Sequence, residues 1–164
     1  KQSDVILFFF FFYVDSLPAP LTKVCEILSK TIKDTHKEIV AIGNSGFPEP
    51  KQNFTALDIL ESFARQSGLN WVCGLAVGAG AALASRKPKK LEDHGGMVAR
   101  LQKSLDEIVT MITKDVSSQG HKIVCAQPLP RWMYTMMGDM GWKEAAKRRG
   151  LKKSDLLARP FLEG

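Results

Sequence analysis

Two short segments bring glycine, serine, asparagine and aromatic residues together directly after apolar runs. The first is Phe12-Tyr13-Val14-Asp15-Ser16-Leu17-Pro18, and the second is Gly43-Asn44-Ser45-Gly46-Phe47-Pro48-Glu49-Pro50. Glycine lets backbone N–H groups approach a ligand closely, and short polar side chains add hydrogen-bond donors. The rings of Tyr13 and Phe47 suit the faces of a flat aromatic ligand. Both segments are therefore predicted to bind a ligand, with ordinary strand-to-helix turns as the alternative interpretation.

Other side chains that commonly do chemistry are scattered along the chain. The three histidines stand apart from cysteines and carboxylates, so no metal site is predicted. Cys25, Cys73 and Cys125 form no CxxC pair and lie among apolar neighbours, which predicts reduced, buried thiols and a cytoplasmic protein. No side chain is predicted to act as a catalytic acid, base or nucleophile.

Apolar runs that alternate with helical patterns must position the two segments. Runs typical of buried parallel strands cover residues 5–14, 38–43, 71–77 and 122–125. Helical spacing of apolar residues separates them, most clearly from Met97 to Val116. This alternation predicts an α/β fold, a three-layer sandwich with a central parallel sheet. Ligands of such sheets bind beyond the carboxyl ends of the strands.

The first run, VILFFFFFYV, contains five consecutive phenylalanines. It is too short for a membrane span, which needs about 20 apolar residues. Asp4 before the run, and the direct continuation into a helical pattern after it, disfavour a signal peptide. The run is therefore predicted to be a central strand that is buried on both faces, and no membrane partner is expected.

Three local predictions concern the ends of these elements. Ser16 is predicted to cap the first helix, and Asn53 is predicted to cap the second. Gly68 is predicted to end the second helix in the left-handed conformation. The stretch that begins Gly78-Ala79-Gly80 lacks the glycine spacing of a dinucleotide fingerprint and is predicted to be a mobile loop.

Composition places the chain among globular proteins. Its 164 residues are 45% hydrophobic and 24% charged, and its formal net charge is +6. That charge suits phosphate-bearing partners but identifies no ligand. The stretch RWMYTMMGDMGW is rich in methionine and tryptophan, which favours a subunit interface over core packing or a lid. The basic tail after it lacks the scaffold of a recognition helix, so no nucleic acid is expected.

Three motifs carry a resemblance to a known family. YVDSLPAPLTKV after an apolar strand, together with IVAIGNSGFPEPKQN, resembles the flavodoxin-like NAD(P)H-dependent oxidoreductases, the FMN reductase group. The tail GWKEAAKRRGLKKSDLLARPF is similar to the C-terminal extension of a bacterial branch of that group. The resemblance implies a flavodoxin-like domain over residues 1–126 and a helical extension over residues 127–164 that contributes to a homodimer contact.

The resemblance also implies a cofactor, a co-substrate and site residues. FMN would accept hydride from NAD(P)H and pass electrons to a small-molecule acceptor. Tyr13, Val14, Asp15 and Ser16 would contact the flavin ring, with Phe12 at the border of the site. Asn44, Ser45, Gly46 and Phe47 would contact the pyrimidine side of the ring.

Two departures from the family pattern keep alternatives open. Phe11 stands where the family has a proline. The family's N-terminal strand–helix–strand unit, whose loop holds the FMN phosphate, has no counterpart in this sequence, so that β-α-β unit is expected to be missing. The alternatives are a flavodoxin-like electron carrier or binding module without reductase activity, and a cofactor-free remnant with a role in assembly.

Overall fold

The structure, a computed structural model, describes residues 4–12, 16–32, 37–80, 96–114, 120–127 and 130–158. The chain divides into two compact units, Lys1–Pro128 and Leu129–Gly164. The first unit contains the sheet, and the second contains a long helix.

A four-stranded sheet forms the centre of the first unit, and each pair of neighbouring strands in it is parallel. The strands lie side by side in chain order. They are β1 (Val5–Phe12), β2 (Glu38–Ser45), β3 (Asn70–Val77) and β4 (Lys122–Cys125). The α/β class and the parallel sheet predicted from the apolar runs are thus confirmed.

Helices cover both faces of this sheet. They are α1 (Ala19–Thr31), α2 (Phe54–Gln66) and α3 (Gly96–Thr113). Ile39 and Ala41 of β2 share a buried cluster with α1 and α2, whereas Val40 and Ile42 share a second cluster with α3. Successive strand side chains point to opposite faces, so β2 is buried on both. This burial explains why its sequence is continuously apolar.

The phenylalanine run occupies the edge of the described sheet, so its predicted central position is wrong. Phe8, Phe10 and Phe12 are buried against α1 and α2. The alternate side chains are exposed: Leu7 by 58%, Phe9 by 61% and Phe11 by 53%. Because the strand is pleated, alternate side chains of the run are buried and exposed. The sequence does not show this alternation, because the residues of the run are nearly all phenylalanine.

The helix ends correct one prediction and confirm another. Helix α1 starts after Pro18 without a side-chain cap, and the Pro18 carbonyl accepts the N–H of Leu21 over 2.9 Å. Ser16 therefore lies too far ahead to cap it, and that prediction is wrong. Gly68 follows α2 with a φ of +68°, as predicted. The helical spacing from Met97 to Val116 also predicts a buried Val109, but in α3 this side chain is exposed.

The second unit consists of a long helix and a short turn of 3₁₀ helix. Helix α4 spans Arg131–Arg148, and the 3₁₀ turn spans Lys153–Leu157. The large side chains of its methionine- and tryptophan-rich stretch are mostly exposed, including Trp132, Met140 and Trp142. A subunit interface there stays a prediction. Among the described helices, none combines the length and apolarity needed to cross a bilayer.

Candidate functional site

The four strands end at one edge of the sheet. In the parallel register Phe12 pairs with Ser45, Asn44 pairs with Val77, and Val77 pairs with Cys125. The chain segments that follow the strands therefore emerge next to one another. This carboxyl edge is where open parallel sheets place their ligands, and both predicted segments lead to it.

The segments after β2, β3 and β4 are tied together at this edge. The N–H of Ala79 donates to the Phe47 carbonyl oxygen over 2.6 Å, and the N–H of Gly78 donates to the Cys125 carbonyl oxygen over 3.1 Å. A Cβ on Gly78 would lie 2.5 Å from the Pro48 carbonyl oxygen. Only glycine allows this approach, so the two loops form one packed unit.

Ala79 has an unusual backbone conformation for an alanine. Its φ is +59°, and its side chain is fully buried. Positive φ is uncommon outside glycine, and buried strain of this kind tends to occur at functional sites, where the surroundings hold it in place. Residues 78–80, which were predicted to begin a mobile loop, are buried, and the N–H groups of Gly78 and Ala79 are hydrogen-bonded. The remainder of that predicted loop, residues 81–95, lies outside the described part of the chain.

Two buried polar side chains fix the geometry of these loops. Ser45 Oγ lies 3.3 Å from the carbonyl oxygens of both Phe47 and Val77. Asn53 Nδ2 donates to the carbonyl oxygens of Pro50 over 3.0 Å and of Val77 over 3.2 Å. The predicted capping role of Asn53 is wrong, because its side chain makes no cap hydrogen bond. It instead joins the β2 loop to β3.

The structure separates the predicted residues of the second segment into two pairs. Asn44 and Ser45 are the last residues of β2, and a Cβ on Gly80 would overlap the Asn44 side chain. Gly46 and Phe47 face outwards. A Cβ on Gly46 would meet no heavy atom of the described residues within 4 Å, and the side chain of Phe47 is 57% exposed. Space for a ligand therefore lies beside Gly46 and Phe47.

The first predicted segment is described only at its two ends. Phe12 is buried in the cluster with α1 and α2, so its ring lies beneath the edge. Ser16 is exposed. Tyr13, Val14 and Asp15 lie outside the described residues. The ligand contacts assigned to all five residues stay predictions.

The three cysteine thiols do not provide a nucleophile at neutral pH. Burial raises the pKa of Cys125 at the end of β4, as it does that of Cys25. Burial, with a smaller contribution from Glu107, raises the pKa of Cys73 to about 12. Thiols with raised pKa values stay protonated and unreactive. Within the described ranges, no group of three or more histidine, cysteine or carboxylate side chains is placed to hold a metal ion.

The chemistry available at the edge is recognition through backbone amides and an aromatic ring. The sequence did not predict that Asn53 and residues 78–80 contribute to the geometry of the candidate site. Asn53 is separated along the chain from its acceptor at Val77, so only the folded sheet reveals the contact. The glycines on either side of Ala79 could have indicated the contact between the two loops, since glycine permits close approach of the backbone.

Comparisons with known proteins give no identity. No protein-family model matches the chain, and no curated protein or solved structure matches it either. The class that the geometry defines is a parallel α/β protein with a candidate ligand site at the carboxyl edge of its sheet.

Proposed function

We propose that the protein is a flavodoxin-like oxidoreductase that binds FMN at the carboxyl edge and uses NAD(P)H as the hydride donor. The electrons would pass from the flavin to a small-molecule acceptor. The observation that carries the proposal is the packed unit of the β2 and β3 loops, which leaves Gly46 and Phe47 facing open space. The resemblance of the surrounding motifs to FMN reductases supports the same cofactor.

A flavin ring would approach the edge of the sheet at Gly46 and Phe47. Gly46 has no side chain, and the space its Cβ would enter is open, so a planar ring can approach the backbone there. The exposed face of Phe47 provides a stacking surface for an aromatic ligand. The described residues thus suit the ring of the cofactor, with Asn44 and Ser45 supporting the loop from within the sheet.

The protein's own contribution is positioning. When bound, the flavin would supply the redox chemistry. The loop held by Ala79, Ser45 and Asn53 would keep the backbone groups around Gly46 in a fixed orientation. Donors fixed in advance stabilise negative charge without reorganising. No proton transfer is assigned to a side chain, since the described thiols are protonated and buried.

A second candidate function keeps the binding site without the reductase step. A one-electron carrier or binding module requires only that flavin is held at the edge. The same loop geometry supports it, because nothing in that geometry selects a nicotinamide. A homodimer formed through the C-terminal extension is compatible with both functions and is part of the proposal.

The test is the visible absorption spectrum of the purified protein after incubation with FMN and dialysis, followed by assay of NADH and NADPH oxidation. Retained flavin with turnover of either nucleotide is the expected result. Retained flavin without turnover would identify the carrier. Loss of all flavin on dialysis, with no change in its spectrum during incubation, would refute both functions.

A further inference from the structure

A groove runs along the outer edge of β4, between that strand and helix α3. Its volume is about 440 Å³. One wall is strand β4 with Ala126 directly after it, and the other wall is formed by side chains of α3. Among the described strands, β4 pairs only with β3, so its other side faces this groove.

The backbone of β4 presents hydrogen-bonding groups to the groove. The carbonyl oxygens of His121 and Cys125 face β3, because they accept the N–H groups of Gly74 and Gly78 over 3.1 Å each. Backbone groups of successive residues in a strand point to opposite sides. The N–H and C=O groups of Lys122 and Val124 therefore point to the outer edge. This spacing matches the alternate backbone groups of an added strand.

The helix wall of the groove is basic. Arg100 and Lys103 line it, and both are exposed. Arg100 Nη1 donates to the Ala126 carbonyl oxygen over 3.2 Å, which holds the guanidinium at the end of the strand. His121 also lines the groove, with its Nε2 3.4 Å from Oε1 of Glu107.

Only part of the nearby charge faces the groove. The ammonium group of Lys122 lies 2.5 Å from Oδ1 of Asp58 in α2, so it belongs to the opposite face of the sheet. Among the described residues that line the groove, the charges of Arg100 and Lys103 exceed the single carboxylate, that of Glu107. Ile123 and Cys125 point towards α3, whereas the side chain of Val124, like that of Lys122, points to the opposite face, so Val124 contributes only its backbone to the groove.

We propose that this groove binds an acidic polypeptide segment in extended conformation, which adds as a strand to the edge of β4. The outward backbone groups of Lys122 and Val124 would pair with the segment, and Arg100 and Lys103 would contact its carboxylates. A small anion would use the two cations but not the strand edge, so the combination favours a peptide. The inference is independent of the proposed cofactor site.

The probe is a fluorescently labelled heptapeptide of alternating glutamate and valine, titrated by anisotropy against the full chain. Binding with a dissociation constant below about 1 mM is expected. Arg100→Gln and Lys103→Gln should each weaken it roughly threefold to fivefold, as for exposed ion pairs. Lys30→Gln, which removes an exposed charge from α1, is the matched control and should leave it unchanged.

Two modified peptides test the strand pairing. N-methylation of one alternate set of amides should weaken binding by about tenfold, because two backbone hydrogen bonds are lost. Methylation of the other set, which faces away from β4, should have little effect. The proposal would be overturned if the two methylated peptides bound with equal affinity, or if a peptide with lysine in place of glutamate bound as tightly as the original. It would also be overturned if none of the peptides bound. Displacement by inorganic phosphate at constant ionic strength would instead identify a small-anion site and also overturn it.

Discussion

The backbone N–H of Ala79, just beyond β3, donates to the carbonyl oxygen of Phe47, just beyond β2, over 2.6 Å. The bond joins two loops that are far apart in sequence. It forms although Ala79 must adopt a φ of +59°. The candidate site therefore depends on a strained residue that its surroundings hold in place.

Substitutions of Ala79 should report this strain. Ala79→Val should lower the free energy of unfolding by about 2 kcal/mol or more, since a β-branched side chain is poorly accommodated at positive φ. Ala79→Gly should stay within about 1 kcal/mol of the wild type, because relief of strain offsets the lost methyl group and the more flexible unfolded chain. Urea unfolding measures both. A valine variant as stable as the wild type would contradict the left-handed conformation.

Asn53 should be important for stability because its buried side chain joins the β2 loop to β3. Asn53→Ala removes the hydrogen bonds to Pro50 and Val77 from a fully buried position. We expect a loss of about 1–3 kcal/mol in the free energy of unfolding, since the Pro50 carbonyl loses its side-chain donor and the Val77 carbonyl keeps only the Ser45 hydroxyl. Gln52→Ala, at the exposed neighbouring position, is the control and should stay within about 0.5 kcal/mol. Similar stabilities for the two variants would show that the Asn53 contacts are not formed.

The phenylalanine run offers a matched pair of truncations. Phe10→Ala removes a ring from the cluster with α1 and α2, and should cost about 3–5 kcal/mol of unfolding free energy. Phe9→Ala removes an exposed ring and should cost less than about 1 kcal/mol. Thermal and urea unfolding of both variants measure the difference. Equal and large losses would indicate a strand that is buried on both faces.

Cys73 should make stability depend on alkaline pH. Burial raises its pKa from 9.0 to about 12 in the folded state. The unfolded chain therefore releases this proton at lower pH than the folded chain does. The contribution of Cys73 to stability is constant below about pH 9 and should fall between pH 9 and 12 by up to about 1.4 kcal/mol per pH unit.

The control for this pH dependence is Cys73→Ala. The variant loses a buried side chain, so it should be less stable at every pH. Its stability should nevertheless fall less steeply above pH 9, because the group that titrates is gone. Urea unfolding at several pH values gives the two slopes, and parallel slopes would mean that the Cys73 thiol is not protected by burial.

Much of the framework is predictable from the sequence, and the reasons are local. Runs such as residues 71–77 are continuously apolar, which is typical of strands buried on both faces. The edge position of β1 was not predictable, since identical side chains give no alternation. Asn53 resembles a helix cap in sequence, and its true acceptor at Val77 becomes a neighbour only when β2 and β3 pair. The positive φ of Ala79 has no signature in an alanine.

We propose that a flavin ring lies against the backbone at Gly46. The most direct test is the FMN affinity of Gly46→Val compared with the wild type and with Gly138→Val. In the described part of the chain, a Cβ at either glycine meets no heavy atom within 4 Å, so both variants should keep the wild-type melting temperature. Gly46→Val should weaken FMN binding by at least about tenfold, and Gly138→Val should leave it unchanged. Wild-type affinity in a folded Gly46→Val variant would contradict the placement of the site.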